Sequence, residues 1–164
     1  MKKLLLGMVV SVATLNANAF DERDASKLVR NYSETVACQL DDAAEYQKNQ
    51  YKAIKLKDGD PDAYGLGELY VVFWEGDVGC SGGNGTILPN FTMVERSGFG
   101  SANPIVVERY IFPDLDLVKL TGISGGNGYL NIQGLAYGGS DMQHKPSKKV
   151  SYTLILHDYE FKLQ

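Results

Sequence analysis

Two stretches of the chain hold the residue types from which chemistry is built. The first is Asp58-Gly59-Asp60-Pro61-Asp62-Ala63-Tyr64-Gly65-Leu66-Gly67-Glu68. Calcium takes about six to eight oxygen ligands from a tightly curled loop, so Asp58, Asp60, Asp62 and Glu68 are candidate calcium ligands. The second is Trp74-Glu75-Gly76-Asp77-Val78-Gly79-Cys80-Ser81-Gly82-Gly83-Asn84-Gly85-Thr86, which sets the only tryptophan and two carboxylates beside a glycine-rich loop. An anchored loop carrying an aromatic ring is a natural recognition surface. Trp74, Glu75, Asp77, Asn84 and, from a later loop, Asn127 are therefore candidate partner contacts. The plainer reading makes Trp74 a core residue and the glycines mere turns.

Read from Asp60, the acidic loop runs Asp-x-Asp-x-Tyr-Gly-x-x-Glu directly into an apolar strand. It resembles the short calcium loops of FG-GAP-type repeats, which run Asp-x-Asp-x-Asp-Gly-x-x-Asp into a hydrophobic strand. Asp60, Asp62, Gly65 and Glu68 fall on that pattern, Tyr64 replaces the third carboxylate, and Pro61 stiffens the loop. The resemblance is confined to this loop and the start of the strand after it, and it implies a calcium-dependent binding or adhesion module. Read from Asp58, the loop is EF-hand-like, with Ala63 where glycine is needed and Leu69 where the bidentate glutamate should stand. The alternative to both is a solvated acidic turn ahead of a strand.

Other chemistries find little material. The chain has two histidines, His144 in a polar loop and His157 beside Asp158 at a strand end. No His-Glu-x-x-His occurs. The glycine loop lacks the Gly-Lys-Ser/Thr ending of a phosphate cradle. Glu75 and Asp77 are the pair from which a small hydrolase of glycosidic bonds would be built. The two cysteines, Cys38 and Cys80, are expected to form one disulfide, which would remove the thiol nucleophile.

The disulfide expectation follows from the start of the chain. Lys2 and Lys3 precede an apolar run, Leu4 to Leu15, and Ala17-Asn18-Ala19 supplies small residues for a signal peptidase. Residues 1–19 read as a cleaved leader and 20–164 as one domain, periplasmic or secreted. No later stretch reaches the roughly 20 apolar residues of a membrane span, so no membrane insertion of the mature chain is expected. The net charge is −4, and −6 once Lys2 and Lys3 leave with the leader. That acidity disfavours nucleic acid and suits a basic protein partner.

The elements that must position these residues follow from periodicity. Ala25, Leu28, Val29, Tyr32 and Val36 recur at helical spacing behind a capping Asp21 and predict a helix over 22–37. Strands are predicted at 51–57, 68–75, 86–96, 104–112, 116–123, 129–137 and 148–157, with a short tail at 159–163. The run 68–75 is apolar on both faces and reads as a central strand. Val150, Tyr152, Leu154 and Leu156 alternate with more polar residues and read as half-buried. The string Ser-Gly-Gly-Asn-Gly occurs at 81–85 and again at 124–128, and Asn-Gly between extended runs predicts a hairpin tip at each. Segment 138–149 reads as a mobile polar loop. The expected fold is α+β: an N-terminal helix packed on a predominantly antiparallel β-meander of about seven strands, as a sandwich or part-open barrel. The expected function is that of an exported binding protein of inhibitor or immunity type, blocking an envelope-acting enzyme such as a basic peptidoglycan hydrolase. No cofactor is expected apart from calcium.

Overall fold

The computed structural model of the chain describes residues 20–41, 51–83, 87–98, 103–142 and 145–164. Residues 1–19, Asn84 and His144 lie outside the described residues. The first element, helix α1 (Glu22–Val36), starts where Asp21 accepts the backbone N–H groups of Arg23 and Asp24, while the Asp24 carboxylate accepts the N–H of Asp21. This reciprocal capping satisfies donors that the first turn leaves open. Ala25, Val29 and Ser33 form its buried stripe. Ala37 is already extended, so Cys38 leaves the helix instead of continuing it.

The strands form two antiparallel sheets. The first holds β1 (Gln39–Leu40), β2 (Lys52–Lys57), β3 (Leu69–Asp77), β4 (Leu88–Glu95) and β5 (Ile105–Val107). β1 and β2 share one edge of β3, β4 lies on the other, and β5 pairs with the far end of β4. The second is a meander of β6 (Lys119–Gly126), β7 (Tyr129–Ala136), β8 (Lys148–His157) and β9 (Glu160–Leu163). The molecule is thus α+β, with one helix on two sheets, one of them curled as a half-barrel. Among the described residues no helix is long and apolar enough to cross a membrane.

β3 is buried on both faces, as its unbroken apolar run requires. Tyr70, Val72 and Trp74 meet α1 with Ala25, Val29 and Val94. Leu69 and Val71 meet the second sheet through Met93, Leu130, Ile132, Leu154 and Phe161. Each such large apolar side chain stabilises the fold by roughly 1.5–3 kcal/mol relative to exposure. Val150, Tyr152, Leu154 and Leu156 all turn inward, as their alternation demands.

Two elements depart from the sequence reading. No strand was assigned at β1, because two residues carry no periodicity. The strand expected over 104–112 pairs only at Ile105–Val107. Beyond it the Glu95 carboxylate holds Arg109 and the Tyr110 hydroxyl, Phe112 stacks on Phe91 and Phe161, and Ile111 bridges in parallel to Glu160. The chain there crosses from the first sheet to the second. In the polar segment 138–149, the Asp141 carboxylate accepts the N–H groups of Gly138 and Ser147 and the Ser147 hydroxyl.

Of the two Ser-Gly-Gly-Asn-Gly strings, the one at 124–128 falls wholly within the described residues. At Asn127-Gly128 both residues take left-handed backbone angles (φ 51° and 80°) in a two-residue turn joining Gly126 to Tyr129, the hairpin tip predicted. The Gly128 N–H donates to the Leu56 carbonyl and its carbonyl accepts the Leu156 N–H, both at 2.8 Å. This turn therefore fastens β2 of the first sheet to β8 of the second. In the first string, pairing of β3 with β4 ends at Gly76 and Leu88. The Asn84-Gly85 tip expected in the connection between them lies outside the described residues.

Candidate functional site

The end of β3 where that long connection leaves the sheet is held by covalent and polar braces. Cys38 and Cys80 are joined, with Cα atoms 5.2 Å apart, and the bond stabilises the fold by about 4 kcal/mol on a chain-entropy estimate. The Cys38 N–H donates to the Asp77 carbonyl at 2.9 Å, extending the β1 pairing to the disulfide itself. The Asp77 side chain is 4% exposed and accepts the N–H groups of Ser81 and Gly82 at 3.3 and 3.0 Å. Asp77 is therefore a brace for the loop and not the partner contact that its place in the sequence suggested. Trp74 needs the same correction. It is 1% exposed, packs in the core under α1, and donates its indole N–H to Thr92 Oγ1 at 2.8 Å. An even-numbered position on β3 faces the helix, which the alternation of the strand makes unavoidable.

Glu75, on the opposite face of β3, opens onto a groove between the two sheets. The groove encloses about 380 Å³ and is lined by Gln39, Asp41, Glu75, Leu88, Lys119 and Tyr137, among others. Leu88 and Tyr137 stand at its rim, 49% and 40% exposed. The Glu75 carboxylate makes no hydrogen bond or ion pair with any described residue. Burial pushes its pKa above the ordinary glutamate value, and Asp41 adds to the rise, while Lys119 and Lys52 act against it. The sequence reading named Glu75 but missed Gln39, Asp41, Lys119 and Tyr137. No spacing rule links them, because β1, β6 and the chain after β7 meet only through the packing of the two sheets.

The acidic loop engages the carboxylates of Asp58, Asp60 and Glu68 internally. Asp60 accepts the Asp62 N–H at 2.9 Å and caps a short 3-10 turn, Pro61–Ala63. Asp58 pairs with Lys55 at 3.1 Å. Glu68, buried beneath them, meets Lys55 at 2.9 Å, Arg96 at 3.4 Å and the Tyr70 hydroxyl at 2.7 Å. Burial alone would raise the Glu68 pKa, but the Tyr70, Lys55 and Arg96 contacts together bring it below the ordinary value. Among the described residues no three carboxylate, histidine or cysteine side chains converge as a metal would need. The candidate calcium ligands Asp58, Asp60, Asp62 and Glu68 are thus not gathered round a common centre, and two cations already face Glu68.

Comparison of the chain with protein-family models, curated proteins and solved structures returns no match. The site must be read from its own geometry.

That geometry separates the two glycine loops. Gly126 lies beside Lys55, whose partner on β3 is Tyr70, whereas Lys119 acts on Glu75. Five residues of strand, about 17 Å, divide the two places. Asn127 is exposed, but it stands at the opposite end of the sandwich from the disulfide loop. His157 is exposed on the Asn127 side of the molecule and pairs with Asp158 at 3.2 Å.

Proposed function

We propose that the protein is an exported binding protein of the cell envelope that blocks an envelope-acting enzyme such as a peptidoglycan hydrolase. The observation that carries this reading is the groove at the disulfide end. A covalently braced rim, exposed apolar residues (Leu88 and Tyr137) and an uncommitted carboxylate (Glu75) lie together there. A rigid patch of this kind loses little conformational entropy on binding and has the makeup of an interface centre. The net charge, −4 for the whole chain and −6 without Lys2 and Lys3, speeds encounter with a basic protein. The leader-like residues 1–19 and the disulfide both fit an oxidising compartment, so the site of action is taken to be the periplasm or beyond.

A carboxylate hydrolase is the weaker alternative. Asp77 is buried and its oxygens serve the loop, so it does not stand across a substrate from Glu75. The calcium module is weaker for the reasons given for Glu68.

The test is affinity capture from an envelope extract with the mature protein as bait, followed by a peptidoglycan turbidity assay on whatever is captured. The expected result is one stoichiometric protein whose hydrolytic activity falls on titration with the bait, and whose capture is lost with Leu88→Asp. Absence of any stoichiometric protein overturns the reading.

A further inference from the structure

Of the carboxylates at the disulfide end, Asp77 is consumed by two backbone N–H groups and sealed from solvent. Glu75 is different. It lines the groove, and among the described residues it accepts no hydrogen bond and has no cation within ion-pair distance. A carboxylate offers only acceptor sites, so whatever completes it must donate. The groove has room for one long side chain, and Leu88 gives it an apolar flank beside the Tyr137 ring. Two carboxylates, Glu75 and Asp41, fall short of the set that a divalent metal requires.

We propose that this groove is a receptor for a single basic side chain, an arginine or lysine presented by a protein partner, with its cationic head on Glu75 and its methylene stem along Leu88 and Tyr137. This deepens the binding-protein reading and rests on it for the nature of the partner. Long basic side chains lie naturally on such a surface, with the stem on apolar atoms and the head on an acid. The charged groups that act on Glu75 come from three elements, Asp41 after β1, Lys52 on β2 and Lys119 on β6, and the neutral Tyr137 phenol after β7 lines the same groove. Burial and Asp41 outweigh the two lysines at Glu75, so the position gains from one further positive charge. Binding requires the ionised carboxylate. It weakens as pH falls through a value above the usual glutamate range.

The test is an NMR titration of the mature protein with N-acetyl-arginine amide and N-acetyl-lysine amide, with N-acetyl-norleucine amide as the uncharged control. The expected result is saturable shifts at Gln39, Glu75 and Lys119 for the basic amides alone. Affinity should fall about tenfold or more in Glu75→Gln, fall likewise between pH 7 and pH 4, and rise in Lys119→Gln, which removes a competing cation. Equal binding of norleucine amide, or an arginine-amide affinity unchanged by Glu75→Gln, overturns the proposal. Capture from envelope extract separates it from the parent reading. A partner retained equally by wild type and Glu75→Gln sinks the receptor and leaves the binding protein. Glu75-dependent binding of arginine amide with no captured protein sinks the binding protein and leaves the receptor.

Discussion

Glu75 and Asp77 stand two residues apart on one strand, and burial assigns them opposite roles. Asp77→Ala removes the acceptor of two loop N–H groups and should destabilise the protein by about 1–3 kcal/mol, measured by urea unfolding. It should also speed reduction of the Cys38–Cys80 bond by dithiothreitol, since the loop carrying Cys80 loses its brace. For Glu75 the sign is reversed. Burial and Asp41 hold its folded pKa above the unfolded value. The folded state therefore binds this proton more readily, and stability falls as pH rises between those two values. Glu75→Gln should melt higher than wild type at neutral pH and match it at pH 3, as followed by circular dichroism. The acidity of these residues was legible in the sequence. Their division of labour was not, because alternation places both on one face while only tertiary packing decides which one is sealed.

At the scale of elements, the helix and the long strands could be read from periods of about 3.6 and 2. Asp21 marks the start of α1 and the 68–75 run marks the central strand. β1 escaped because its pairing with Gly76 and Asp77 is enforced from outside, by the disulfide and by the Cys38 N–H on the Asp77 carbonyl. The hairpin at Asn127-Gly128, by contrast, was legible because its turn chemistry is local. The double variant Cys38→Ser/Cys80→Ser should lose about 2–4 kcal/mol in urea unfolding. The loss should be accompanied by faster proteolysis between Val78 and Ile87, with β6–β9 remaining protected.

The whole molecule is a three-layer stack of helix, sheet and sheet, and its groove belongs to no single segment. Gln39, Glu75, Lys119 and Tyr137 come from four places in the chain, and only the face-to-face packing of the sheets unites them. A linear reading finds motifs, and so it found the acidic loop instead. Lys55 and Arg96 already supply the positive charge that Glu68 needs. Thermal melting with millimolar calcium or with EDTA should accordingly give the same midpoint, whereas a ligand at about a hundred times its dissociation constant would add about 2.7 kcal/mol. A rise of several degrees with calcium would reinstate Asp58, Asp60, Asp62 and Glu68 as a metal site. The two layers are riveted at one end by the main chain of Gly128, bonded to Leu56 on one side and Leu156 on the other. Glu75 stands five strand residues away from it, about 17 Å, at the end where the Cys38–Cys80 bond lies, so the end that must admit another molecule owes its firmness to a covalent bond and not to that rivet.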